Sequence, residues 1–520
     1  MAEKRIKVIA NACGVNLSAC REALAKVAAE AGVSLKIGTV EGDDLLARAD
    51  ELRALPVKEW RTGAPLPERP ASINAYLGAF PIAAALDAGA DIVVTGRCVD
   101  SALVLGPLIH EFSWGAEDYD KLAAGSLCGH LLECGAQATG GNFTDWRDTV
   151  SGWAEMGFPI AEVSEGGEFV ITKVAGTGGA VTPLTVAEQL VYEIGDPAAY
   201  LLPDVSCDFT DVRLEAVGAD RVGVSGAKGR PAPEKLKVSA TYAEGASCRA
   251  ALALVGIDAQ AKARAMGEAV AAKASAMAMA VGLGDFDAVR IEVFGDTRDG
   301  GGNEPVVREV MLRLGVQHRR KEGAELFARE FAGAGLSMSP GITFVTPGRP
   351  GVSATVRLYS FLLERRSVQP KVAVDGSEVP FSSAHPRESG DPGVFVSEPH
   401  SAPGEKTWIP AFAGMSGRGV AFIELAVARS GDKGDDANIG VIARRAEYLA
   451  PIRDALTPDL LAQMFGATSV ERYELPGISA LNFVLRDCLG GGGAGSLHLD
   501  AQAKTFAQRL LAVRIPLPKT

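Results

Sequence analysis

Residues 86–106 read LDAGADIVVTGRCVDSALVLG, and this stretch decides the fold. Asp91 to Thr95 is a short apolar run of β-branched residues between Gly89 and Gly96, the signature of a strand buried on both faces. A polar turn, Thr95-Gly96-Arg97-Cys98-Val99-Asp100-Ser101, then opens an apolar helical stretch. A helix, with Ser72 before it and Ala88 at its end, is predicted ahead of the strand. Working outward, Ile6 to Ala10 reads as a strand, Ser18 as the cap of a helix over Ala19 to Ala31, and Ser34 to Val40 as a second strand. Strand and helix alternating at this spacing predict an α/β fold with a parallel, helix-covered sheet.

Beyond Gly157 the pattern shifts to a mixed α+β continuation. Short strands are expected at Phe169–Val174, Val212–Glu215, Val222–Ser225 and Lys237–Tyr242. An Ala-rich helix follows over Ala259–Val281, then a strand at Ala288–Phe294. Met338–Arg349 reads as turns, and Pro370–Val374 as a terminal strand. Residues 1–375 are taken as one unit. Residues 376–418 form a linker dense in Pro, Gly and Ser from Ser382 to Arg418, too polar to offset its ordering entropy, so disorder is expected. Residues 419–520 form a small α/β domain. Its strands are expected at Ala421–Ala428, Ile439–Ala443, Ser469–Leu475 and Ala480–Arg486, with two short helices between them and a last helix at Ala501–Val513.

The net charge of −12 and pI near 5.2 argue against a nucleic-acid partner, which needs clustered Lys and Arg. The helix at 259–281 carries Lys262, Arg264, Glu268 and Lys273, so no membrane span is expected. Eight scattered cysteines without a CxxC pair suggest free thiols and a cytoplasmic location.

Several constellations could carry chemistry. Arg97, behind Gly96 and beside Asp100, stands at the strand end where α/β sheets bind ligands, and helix-terminal amides there attract anions. The alternative is an Arg97–Asp100 pair that only pins the turn. Gly176, Gly178 and Gly179 form a second glycine-rich turn able to cradle an anion or merely to bend. Asn11, Gly14 and Asn16 form a third. His130, Glu133 and Cys134 share a predicted helix, Ala123–Ala138. His130 could transfer protons and Cys134 attack as a thiol, with Asp145 as the carboxylate partner. A packed histidine is the bland alternative. No second ligand pair with metal spacing exists, so no metal and no cofactor are expected. Ser430–Asn438 reads as a polar link between strands, where Lys433 and loop amides could meet a phosphate or carboxylate, or simply turn the chain. Gly490–Gly493 reads as a mobile loop. His318 and His498 have no patterned partners.

Ser72–Val205 resembles the acyclic terpene utilisation family AtuA through INAYLGAFPIAAALDAGADIVVTGRCVDSALVLGPLIHEFSWG, LAAGSLCGHLLECGAQATGGNFTDW, GFPIAEV and KVAGTGGAVTPLTVAEQLVYEIGDPAAYLLPDV. ARSGDKGDDANIGVIAR, residues 428–444, is similar to the ferredoxin-fold module that follows in that family. Two departures stand out. The family usually has a longer opening segment before the part matching Ile6–Asn16. HPRESGDPGVFVSEPHSAPGEKTWIPAFAGM, residues 385–415, resembles the translated form of a mobile palindromic repeat of bacterial genomes. Such an insertion is tolerable in a linker, because loop lengthening costs only roughly 0.6 kcal/mol per doubling. It removes His385 and His400 from consideration.

The resemblance implies a role in breaking down acyclic terpenes such as citronellol and geraniol, or related branched acids handled as CoA thioesters. The first expectation is an enzyme, or part of one, that takes a small anionic substrate, a carboxylate or CoA thioester. The second is a non-catalytic assembly partner of an acyl-CoA carboxylase pathway, with the C-terminal module as docking domain. A third is that the short start and the insertion leave this chain inactive. Homo-oligomerisation is the general expectation.

Overall fold

The computed structural model describes residues 2–11, 16–295, 309–345, 348–381 and 419–515. The insertion and Gly14 of the third turn lie outside the described residues.

In chain order the first part contains β1 (Val8–Ala10), α1 (Leu17–Glu30), β2 (Ile37–Glu41), α2 (Ala49–Ala54), β3 (Pro70–Ala75), α3 (Phe80–Asp87), β4 (Ile92–Thr95), α4 (Ala102–Phe112) and α5 (Tyr119–Leu132). Next come β5 (Pro159–Val163), β6 (Phe169–Lys173), α6 (Pro183–Leu190), β7 (Tyr200–Leu201), β8 (Ser206–Asp208), β9 (Arg213–Gly218), β10 (Arg221–Ser225) and β11 (Lys228–Arg230). A two-layer section holds β12 (Lys235–Val255), α7 (Ala259–Ala280), β13 (Ala288–Phe294), β14 (Glu309–His318), α8 (Lys321–Ser337), β15 (Ile342–Phe344) and β16 (Val352–Glu364). The chain returns through β17 (Lys371–Val374) and β18 (Ser377–Val379). The C-terminal module comprises β19 (Val420–Ala421), β20 (Ala426–Lys433), β21 (Asp436–Ala443), α9 (Leu449–Ala455), α10 (Pro458–Phe465), β22 (Val470–Leu475), β23 (Ala480–Leu485), α11 (Phe506–Leu511) and β24 (Arg514–Ile515).

The fold is α/β as expected. β4 is buried throughout and lies between parallel neighbours β1 and β2, because an apolar run without alternation needs cover on both faces. The terminal strand, β17, adds antiparallel to β2, so the sheet is parallel in one half and antiparallel in the other.

Four local readings are corrected. Ser72 lies in β3, paired with β12, and not at a helix start. Ile73 and Ala75 alternate into the core, and α3 begins only at Phe80, where the Asp204 carboxylate accepts the Ala79 amide at 2.7 Å. Asn16, not Ser18, caps α1, its side chain accepting the Ala19 amide at 3.0 Å. The expected strand at Lys237–Tyr242 is one part of β12, a strand of 21 residues that pairs with β3, β14, β15 and β16. Cys98, Cys128, Cys134, Cys207, Cys248 and Cys488 are free thiols, whereas Cys20 is disulfide-bonded.

The C-terminal module is a four-stranded antiparallel sheet, β20-β21-β23-β22. The polar stretch expected as a loop is mostly strand. Lys433 pairs with Asp436, leaving a two-residue turn, Gly434-Asp435, with Gly434 at φ +74° as a primed hairpin turn requires. Every residue of β21 is buried. Ala428, Ile439 and Val441 face the module's own core, while Val427, Ile442, Leu475 and Ala480 join the large N-terminal core. This sheet is therefore covered on both faces, on one of them by the rest of the chain.

The close fit is steric as well as apolar. A Cβ at Gly440 would fall 2.1 Å from a Val191 methyl, just past α6. Gly440→Ala is expected to cost about 1–3 kcal/mol through overpacking. A lowered denaturation midpoint would register it, and an unchanged midpoint would show that this contact does not hold in solution.

Candidate functional site

The turn after β4 positions Arg97, and three of its amides are already engaged. Gly96 N donates to Val40 O at 3.0 Å, Val99 N donates to Leu77 O at 3.0 Å, and Arg97 N donates to the buried Asp43 carboxylate at 2.7 Å. Gly96 is required here, since a Cβ would overlap Asp43. The Arg97 amide is thus taken by the protein's own carboxylate, so a cation for an external anion comes from a side chain. Arg97 supplies one. Its guanidinium lies 4.6 Å from the centre of the Tyr76 ring and 3.3 Å from Asp100, which also accepts from Asn11 at 3.0 Å. The Lys237 ammonium sits 5.1 Å from the same ring and 5.2 Å from that of Trp60, which is 43% exposed. Among the described residues, Lys237 has no ion pair.

Helix α5 packs directly against this turn: a Cβ at Gly129 would touch the Ser101 backbone. The next residue, His130, is 1% exposed. Its Nε2 is 3.2 Å from Leu190 O and therefore carries the proton, while Nδ1 is 3.1 Å from Glu133. The His130 ring also lies 5.9 Å from that of Tyr200, whose hydroxyl is held far above its ordinary range by burial.

Two expectations about this helix change. It ends at Leu132, so Cys134 lies beyond it. Burial raises the Cys134 thiol, and the Cys98 thiol is pushed up to about 11 for the same reason, so neither favours a thiolate. Asp145 is not the carboxylate at His130; Glu133 is. Asp145 instead accepts two bonds of 2.6 Å from Arg444 of the C-terminal module. Gly176, Gly178 and Gly179 form a turn against Thr139, Gly152 and Met156. Gly178 N donates to Glu155 O at 2.8 Å, and among the described residues this turn has no hydrogen bond to the Arg97 turn.

The C-terminal hairpin completes the arrangement. Lys433, at the end of β20, places its ammonium 5.7 Å from the Tyr200 ring. It is open to solvent yet hemmed in by protein, and burial holds it below the ordinary lysine range, with Glu193 opposing and the like charge of Lys237 adding to the shift. Glu193, at φ +54°, donates its amide to Asn438 and pairs through its carboxylate with Lys504 at 2.7 Å. Arg97 and Lys237 thus gather on Tyr76, while Lys433, contributed by the module, stands beside Tyr200 and near enough to Lys237 and Glu133 to feel their charges.

The description "Acyclic terpene utilisation family protein AtuA" matches residues 1–374, and "AtuA ferredoxin-like domain" matches residues 420–516. The chain belongs to the AtuA family. No curated protein and no solved structure matches it. Among the described residues of this AtuA-family chain no cluster of His, Cys, Asp and Glu could hold a metal, and no helix is long and apolar enough to cross a membrane. Tyr76, Lys237 and Tyr200 escaped the sequence reading. Lys237 stands in an ordinary alternating strand, and the tyrosines lie within the stretches that carry the family resemblance but in no catalytic or ligand-binding pattern; for Lys237 only the alternation that aims it away from buried Leu236 and Val238 could have hinted at it.

Glu188 lies beneath the junction of the two parts. Thr144 N donates to its Oε1 at 3.1 Å, and Oε2 has no partner among the described residues. Burial pushes its carboxyl up to about 7, against the pull of Arg429. The unfolded carboxyl ionises near 4.5, so in the intervening range the folded state binds the extra proton. Stability from this group is then full in acid and falls as pH rises through that window. Glu188→Gln is expected to flatten this slope and to raise Tm above that of the wild type at mildly alkaline pH; parallel melting curves across the window would refute the assignment.

Proposed function

We propose that this AtuA-family protein takes an anionic small molecule of acyclic terpene breakdown, a branched carboxylate or its CoA thioester, into the cleft at Tyr76. The observation that carries the reading is the pairing of two cations on one aromatic ring: Arg97 and Lys237 both lie within about 5 Å of the Tyr76 ring centre. Asp100 is the one carboxylate among the described residues that pairs with either of them. Like charges held together are costly without a counter-ion, and an entering carboxylate or phosphate relieves that cost. On a protein of net charge −12, such local positive potential stands against the general field. Trp60, Tyr76 and Tyr200 offer apolar surface to a branched chain.

The assembly-partner reading has less support. One face of that module's sheet packs on the N-terminal core and is closed to a partner.

Citronellic acid and its CoA thioester serve as probes in titration calorimetry. Arg97→Met and Lys237→Met are each expected to weaken binding about ten- to a hundredfold, the scale of one lost charge-assisted hydrogen bond. Added salt should weaken wild-type binding more than binding by the variants. Equal affinities in all three proteins would overturn the proposal.

A further inference from the structure

We infer that Lys433 is the proton-transfer residue of this cleft, removing a proton from the carbon beside the acyl carbonyl of the bound anion. The inference rests on the anion-binding reading above and adds a reaction to it.

The first support is how firmly the hairpin is held. Asp435 at its tip accepts the Gly491 amide at 2.8 Å through its carboxylate, and its carbonyl accepts from Cys488 at 3.1 Å and Leu489 at 3.2 Å. Asp436, opposite Lys433, is gripped by Arg61 and Arg486 at 2.9 Å each and by the Asp487 amide at 2.9 Å. Such clamping fixes the base of an otherwise flexible side chain, as a reacting group requires.

The second support is that the neighbouring carboxylates are engaged elsewhere. Glu193 holds Lys504 at 2.7 Å, Asp432 lies 3.6 Å from the same ammonium, and Glu133 pairs with His130 at 3.1 Å. Among the described residues the Lys433 ammonium has neither an ion pair nor a hydrogen bond. A structural salt bridge therefore does not account for it. The charged and titratable groups facing it are Glu133 and His130 from α5, Glu193 from the segment after α6, Tyr200 from β7, Lys237 from β12, and Asp432 on its own strand. Desolvation and the like charge of Lys237 both disfavour the ammonium of this exposed side chain and hold it below the ordinary lysine range.

The ligand's chemistry selects the role. Amine attack on a thioester would expel the thiol and leave a stable amide, which ends turnover. Proton transfer regenerates the lysine: the amine takes the C–H proton, the C–H electron pair moves into the enolate, and the ammonium returns a proton to carbon. No oxidant or reductant is needed.

Citronellyl-CoA incubated with the protein in heavy water tests this by mass spectrometry and NMR. Wild type should place deuterium at the carbon beside the carbonyl, and Lys433→Met should slow this at least about a hundredfold at saturating thioester with Tm retained. Lys433→Arg, which keeps the charge but not an ionisable amine, should be equally slow. Exchange should rise with pH in the wild type and lose that dependence in both variants. Wild-type exchange that survives in Lys433→Met, or tight wild-type binding without exchange, would overturn this inference while leaving the binding site standing. Absence of wild-type binding would instead remove the anion-binding reading on which it rests.

Discussion

Two buried asparagines of the C-terminal module hold the whole arrangement in register. Asn438 donates to Val191 O at 2.7 Å, and Asn482 donates to Gly195 O at 2.7 Å and Ile194 O at 3.2 Å. Val191 is the cap of α6, so these acceptors include a helix-end carbonyl with no continuing helix to serve it. Left buried and unpaired, such groups cost about 1–3 kcal/mol each. The asparagines also bond one another at 2.9 Å, and Asn438 accepts the Glu193 amide, so the set is closed. Apolar burial brings the sheet to the N-terminal core, but these directional bonds set where along that core it comes to rest. The position of Lys433 relative to Tyr200 and Glu193 follows from them.

Much of the fold was legible because burial leaves a mark on composition. The run at 91–95 reads as a covered strand, the Ala-rich helix falls at Ala259–Ala280 against an expected end at Val281, and Ala288–Phe294 has its expected bounds. The reading failed where local pattern was ambiguous. Ile73 and Ala75 also suit a helix, and only β12, far away in sequence, makes them a strand. Asn16 and Ser18 are both good caps; the helix starts at Leu17, so the cap position falls to Asn16. Met338–Arg349 read as turns because the three residues of β15 gain their strand character solely from pairing with Leu252–Leu254.

The site divides in the same way. Arg97 and Asp100 were visible because a Gly-Arg pair after a buried strand is a local feature. Asp145 was assigned to His130 by nearness in sequence, whereas its partner Arg444 lies 299 residues on and belongs to another sheet. Lys433 appeared as part of a polar turn, since nothing local marks it as the lysine that the fold sets beside Tyr200. The roles of Tyr76 and Lys237 exist only through the pairing of β12 with β3, which brings Lys237 beside the residue that follows Ala75.

Asp43 shows why this cleft relies on side chains. In many α/β proteins the amides beyond a strand's carboxyl end receive the ligand's anion. Here the nearest such amide, that of Arg97, is taken by Asp43, which also accepts Asn74 Nδ2 at 2.9 Å, tying β2, β3 and the turn together. An internal carboxylate at this point stiffens the turn but repels a second anion from the backbone. On the proposed reading, attraction would come from cations set a side chain's length away, Arg97 and Lys237 at Tyr76. An anion received over Tyr76 would then sit with Lys237, whose charge Lys433 of the C-terminal module also feels.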